Sequence, residues 1–256
     1  MNFLNQIYSS NMEIKVYEEL ILRELKVIIE KIIKSTPTLP INVSGGERQG
    51  DYISKHLEKE FVNQTKNNIY FKNSRTSPKG NTKNPFDVET FFEIKGHKEL
   101  IWIDFKAVNS SNKDSNPDSG TPDKIIKLIN DGSFYLAYIF VFYEGKNGEL
   151  SFSQKDNEFV KSYFLKDVNK SVRITPANQL QVKYSEPPQY RTRKEFIDFL
   201  LQKKKEGLER LVKNTQAKLD RFNDDVIYQN KKQKIIISSV NLETQNLQSE
   251  QKIKNL

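Results

Sequence analysis

Asp87, Asp104 and Lys106 have the types and the spacing for chemistry at a phosphoryl group. Side chains alternate along a strand, so within segment 100–108 Asp104 and Lys106 share one face. Ile101, Ile103, Phe105 and Ala107 take the other. A carboxylate and an ammonium therefore stand inside an otherwise apolar strand. Burying both is costly unless they are paired, solvated or bound to a metal. Asp87 opens a preceding strand, 87–95, and a hairpin turn at Gly96-His97-Lys98 sends the chain back beside it. The start of the first strand then lies near Asp104. Two carboxylates and a lysine at one end of a hairpin suit Mg²⁺, which takes oxygen ligands, waters and substrate phosphate. Such an ion acidifies bound water and neutralises developing charge, while a neighbouring lysine orients the water and offsets phosphate charge. The rival reading is a plain Asp–Lys pair with no metal.

The surrounding elements must hold that hairpin in place. Residues 13–34 predict a helix with a wide apolar stripe that includes Val16, Leu20, Val27 and Ile28. Pro37 and Pro40 stop it. A short apolar piece at 41–43 leads to Ser44-Gly45-Gly46, a turn or helix entry. Residues 47–62 resume helical spacing through Ile53, Leu57 and Phe61, with Glu47 and Asp51 one turn apart on one side. Residues 69–71 predict a short strand and 72–84 a polar loop carrying Lys72, Arg75, Lys79 and Lys83. A second polar loop covers 109–122, and a short helix covers 123–130. The run FYLAYIFVFY at 134–143 suits a strand buried on both faces. Weaker strands are predicted at 149–152, 172–175 and 180–184. Thr192-Arg-Lys-Glu195 is a capping box, so a helix starts there and runs to about residue 222, bending near Gly207. Ile235-Ile-Ile237 would add an edge strand or a partner contact. The order predicts one α/β domain over 1–227, a central mixed β-sheet flanked by helices, and a polar extension over 228–256.

Composition narrows the chemistry. The 256 residues contain no cysteine and two histidines, His56 and His97. Disulfide frameworks, Cys-ligated zinc, iron–sulfur clusters and thiol nucleophiles are excluded, and a multi-histidine site is disfavoured. No apolar run is long enough to cross a membrane and no signal peptide is visible, so the expected compartment is the cytoplasm. The net charge is +8 and the pI about 9.3, which favours an anionic partner, nucleic acid first. Residues 191–221 hold ten basic and five acidic side chains, a face able to track phosphates.

Pro85-Phe86-Asp87, followed after seventeen residues by Asp104-Phe105-Lys106, resembles the PD-(D/E)xK nuclease signature of type II restriction endonucleases. Phe86 is a departure, because the pattern has Pro and Asp adjacent. Ser44-Gly-Gly-Glu-Arg-Gln-Gly-Asp51, Thr121-Pro-Asp123 and Arg191-Thr-Arg-Lys-Glu-Phe196 are similar to the blunt-cutting EcoRV/HincII-like branch. The likeness touches residues 44–220, with only the acid–acid–lysine core specific. It implies a restriction-endonuclease-like core in which Asp87 and Asp104 ligate Mg²⁺ with the Phe105 carbonyl. Lys106 then contacts the water and the scissile phosphate. Glu47 or Asp51 would be the supporting carboxylate on the preceding helix, each with an ordinary reading as a helix N-terminal acid. Asn109, Asn112, Lys113, Asn116 and Ser119 are candidates for reading base edges, and Arg75, Lys79 and Lys83 for the DNA backbone. The implied enzyme is a Mg²⁺-dependent site-specific endonuclease acting as a homodimer on a palindromic site in double-stranded DNA, with a cognate methyltransferase as functional partner. A repair or junction-resolving nuclease of the same fold and a non-catalytic DNA-binding protein are the alternatives. Trp102 is expected in the core, His97 at a solvated turn, and His56 in a local hydrogen bond.

Overall fold

The computed structural model describes residues 14–41, 48–78, 86–111, 120–130, 135–146 and 148–254. It divides into two units, Met1–Lys204 and Lys205–Leu256. In the first, helix α1 (Ile14–Ser35) buries Leu20, Ile21, Leu25, Ile28, Ile29 and Ile32 on one side. Helix α2 (Gln49–Thr65) buries Ile53, Leu57 and Phe61, the periodic positions of the sequence. The strands are β1 (Thr38–Pro40), β2 (Phe71–Thr76), β3 (Val88–Ile94) and β4 (His97–Asn109), then β5 (Tyr135–Lys146), β6 (Glu149–Phe152) and β7 (Val160–Phe164). They form one sheet in the order β1-β6-β5-β4-β3-β2, with β7 also pairing β5. Strands β4 and β5 run parallel, joined across α3 (Pro122–Asn130), and the other pairs are antiparallel. A second small sheet pairs β8 (Arg173–Ile174) with β9 (Leu180–Gln181). The mixed α/β class read from the sequence is the class observed.

Alternation sorts the core into two layers. On β4 and β5, Ile101, Ile103, Phe105, Ala137, Ile139 and Val141 pack with α1 and α2. Trp102, Val108, Tyr138, Phe140 and Phe142 pack on the opposite face with Ile125 and Ile129 of α3. Strand β5 is therefore covered on both faces, as its unbroken apolar run implies. Trp102 is buried and stacks on Phe86, with ring centroids 4.9 Å apart.

Several boundaries differ from the sequence reading. The β3–β4 turn has two residues, Lys95 and Gly96, at φ 49° and 83°. Ile94 pairs with His97, so His97 belongs to the strand and not to the turn. The glycine supplies the left-handed backbone such a tight turn needs. Residues 72–76 are strand where the sequence reads as loop. Asn73 sits at φ 55° and the register shifts between Lys72 and Arg75, so this strand has no clean alternation to read. Strand β7 is also unannounced, and is built by pairing with β5. His56 packs beside Phe152, and its Nε2 has no hydrogen-bond partner among the described residues.

Helix α4 (Arg193–Lys254) starts at the predicted capping box. The Thr192 amide and hydroxyl donate to the Glu195 carboxylate at 2.7 and 2.9 Å, and the Glu195 amide donates to Thr192 Oγ1 at 3.3 Å. The helix continues past residue 222 without ending at the polar stretch. Gly207 is helical, and Ile235–Ile237 are helical, not an edge strand. The second unit is the portion from Lys205 onward, and every residue from Leu208 to Gln245 is exposed.

Candidate active site

The site forms where β4 outruns its antiparallel neighbour. The β3–β4 ladder ends at the pair Val88–Ile103, and the amide of Asp87 adds one last bond to the Ile103 carbonyl at 2.8 Å. The Asp87 carbonyl accepts from the Ser77 amide at 2.7 Å. Asp87 is thereby fixed on both backbone sides. Beyond it β4 continues, paired among the described strands with β5 alone, and leaves the Phe105 peptide groups open on the β3 side. Asp87 fills that gap: its Oδ2 accepts from the Phe105 amide at 2.7 Å. The Phe105 carbonyl accepts from Ser54 Oγ of α2 at 3.2 Å.

Asp104 and Lys106 emerge on the same side of β4, as alternation requires, and pair at 2.9 Å. Asp104 is 8% exposed. The Asp87 and Asp104 carboxylates act on each other's titration, the charge of Asp87 adding to the rise at Asp104. Burial pushes the Asp104 carboxyl up to about 7, against the opposing pull of the Lys106 ammonium. Asp87 is also raised, first by burial, with its bond from the Phe105 amide and the Lys106 charge working the other way. Two acids held above the usual carboxylate range in a desolvated corner mark a site with a strong demand for positive charge.

Helix α2 lines the far side. Asp51, Ser54 and Glu58 recur at helical spacing on its site-facing side. The charge of Asp51 acts on Asp87 and on Tyr143. Glu58 is raised to about 7, first by burial and then by the negative charge of Asp87. Glu58 is a candidate site residue that the sequence reading missed. Its signal was available, two turns after Asp51 and one after Ser54, but the facing side of a helix is fixed only once its packing is known. Glu47 lies outside the described residues.

The oxygen donors fit a hard divalent cation. Asp87 and Asp104 supply two carboxylates, and the Phe105 carbonyl lies on the same strand as Asp104. Among the described residues no group of three or more acidic or imidazole side chains gathers as a metal cage. A two-carboxylate set that leaves positions to water and phosphate is the usual provision for Mg²⁺.

The DNA-reading candidates are only partly placed. Asn109 ends β4, and its Oδ1 accepts from the Ser111 amide at 3.0 Å and its hydroxyl at 2.6 Å. Arg75 is in β2 and not in a loop, with its guanidinium on the Glu89 carboxylate. Asn112, Lys113, Asn116, Ser119, Lys79 and Lys83 lie outside the described residues.

The chain matches the SwaI-like family, described as SwaI restriction endonuclease, over residues 13–222. It belongs to the SwaI-like restriction endonuclease family. The matched region includes α1, the hairpin with Asp87, Asp104 and Lys106, and the first part of α4. This SwaI-like chain is therefore a type II restriction endonuclease, a DNA-binding hydrolase that cuts at specific sites. Among solved structures the SwaI-like chain is similar to one described as NlaIV restriction endonuclease. The two share 15% identity over 72% of this chain and 78% of that one, at a TM-score of 0.42. No curated protein matches the SwaI-like chain. None of its helices among the described residues is long and apolar enough to cross a membrane.

Proposed function

We propose that the chain is a homodimeric, Mg²⁺-dependent endonuclease that hydrolyses both strands of a short palindromic site in double-stranded DNA, leaving 5′-phosphate and 3′-hydroxyl ends. The observation that carries this reading is the meeting of Asp87, Asp104 and Lys106 at the free edge of β4. Asp87 and Asp104 would hold the ion, with the Phe105 carbonyl as a further oxygen. When bound, the ion acidifies water and neutralises charge developing on the phosphoryl group.

The chain's own groups supply the rest. Asp87 pins the Phe105 amide and so fixes the stretch of β4 that carries the other two groups. Lys106 Nζ orients a water on the scissile phosphorus and offsets the charge of the phosphate oxygens. The water oxygen bonds to phosphorus, the bond to the 3′-oxygen breaks, and that oxygen leaves as the hydroxyl after taking a proton. Glu58 is the supporting carboxylate on α2, with Asp51 beyond it. Asn109 and the polar loop after it read base edges, and Arg75 meets the backbone. The likeness to the EcoRV/HincII-like branch is what favours blunt ends. A cognate methyltransferase protects the host site, and the expected compartment is the cytoplasm.

Two variants test the reading. Asp104→Ala and Lys106→Ala are each expected to lose cleavage while still binding DNA in Ca²⁺, measured by gel shift. Cleavage by either at the wild-type rate would remove that residue from the proposed chemistry.

A further inference from the structure

The second unit is an exposed helix with an ordered apolar seam. Leu208, Val212, Leu219, Phe222 and Val226 fall on one heptad stripe, spaced by alternating threes and fours once Thr215 is included. After Gln229 and Gln233 the same stripe resumes at Ile236 and Val240. These seven apolar residues are 41–69% exposed. At roughly 100 Å² of exposed surface apiece, two copies of the seam would bury on the order of 1,400 Å², within the range of a stable dimer interface. A helix of this length gains most of its stability from packing an apolar face, and among the described residues 208–245 nothing covers this one. The family match ends at residue 222, so half of the seam lies beyond it.

We propose that residues 208–240 of two chains pair as a parallel, in-register two-stranded coiled coil. The inference deepens the dimer reading above by naming its interface, and it involves no residue of the nuclease centre. Register follows from the seam itself. The in-register parallel alignment stacks every apolar layer on its own counterpart and sets the two glutamine layers against each other. A pair of polar layers of this kind fixes alignment at some expense of stability. Charge then selects direction. The antiparallel alignment that overlaps 208–240 would place Asp225 against its own counterpart and Lys218 against Lys232. The parallel alignment sets Lys218 beside Asn223 and Asp225 beside Asn230, with no like charges facing.

Sedimentation of the full chain at micromolar concentration tests this without reference to cleavage. The wild type is expected to be a dimer, and Phe222→Glu and Val226→Glu to shift it to monomer. Ile227→Glu and Ile235→Glu, equally exposed but off the seam, are expected to leave the dimer intact. Because the chain has no cysteine, Gln229→Cys gives a clean second readout: oxidation is expected to link two chains in high yield. A wild-type monomer overturns both the coil and the dimer reading. A dimer that survives Phe222→Glu and Val226→Glu overturns the coil alone, as does a Gln229→Cys dimer that fails to cross-link. Loss of DNA binding by those variants with the dimer retained assigns the seam to DNA and also overturns the proposal.

Discussion

At the scale of single residues, the site is a problem of charge in a desolvated corner, and its pH behaviour follows. Asp104 ordinarily releases its proton near 3.8, but in the folded chain it holds it to about 7. Between those values the folded state binds the extra proton, so unfolding releases it. Stability of the metal-free protein is therefore expected to fall as pH rises from about 4 to 7, and to change little above that on this account. Asp104→Asn should reduce that slope in a thermal-melt series, with Glu58, also raised to about 7, contributing to what remains over the same window. Metal affinity should move oppositely, tightening up to about pH 7 as Asp104 gives up its proton. Trp102, the sole tryptophan, is two residues before Asp104 on the same face, so its fluorescence is a suitable probe for the titration. A metal affinity that does not tighten with pH would contradict the raised titration of Asp104. The three central residues were legible in the sequence because a strand's alternation fixes which side chains meet. Glu58 was not, because a helix shows its apolar face in the sequence but not which polar neighbours turn toward a distant strand.

At the scale of elements, α2 is the support for the site. It packs Leu57 and Phe61 into the core behind β4 and donates from Ser54 to the Phe105 carbonyl. Leu57→Ala is expected to lower stability by about 2–5 kcal/mol through the cavity it leaves. Ser54→Ala should cost only about 1 kcal/mol. The useful contrast is in activity. Ser54→Ala should reduce cleavage more than its small stability loss explains, because the Phe105 carbonyl loses its positioning bond. An unchanged turnover in Ser54→Ala would show that α2 supports β4 by packing alone. Element order was largely legible: the hydrophobic helices, the hairpin, the doubly buried β5 and the capping box of α4 are all local patterns. Strands β2 and β7 were not, since one is irregular and the other is defined by its partner. The end of α4 was missed because polar residues after Phe222 read as a tail, whereas the heptad stripe that runs through them needs a longer window to see.

At the scale of the molecule, a buried ionic cluster ties distant segments of the first unit together. Lys166 Nζ lies 2.8 Å from Glu18 of α1 and 2.8 Å from Asp167, and also donates to the Arg191 carbonyl at 2.8 Å. The Arg191 amide donates to Asp167 at 2.8 Å, just before α4 begins. Lys166→Ala leaves two acids without their cation and is expected to cost about 3–5 kcal/mol, read as a lowered melting temperature. A loss under about 1 kcal/mol would show that water or Arg191 compensates them. The net charge of +8 adds a second expectation: DNA binding in Ca²⁺ should weaken steeply as salt rises, with a linear log–log slope. The central claim is that Asp87, Asp104 and Lys106 make a site-specific, Mg²⁺-dependent nuclease. A digest of a plasmid of known sequence tests it most directly. Discrete fragments with 5′-phosphate ends are expected with Mg²⁺ and none after chelation. Discrete cutting that persists in chelator, or a Mg²⁺-dependent smear without fixed ends, would contradict it.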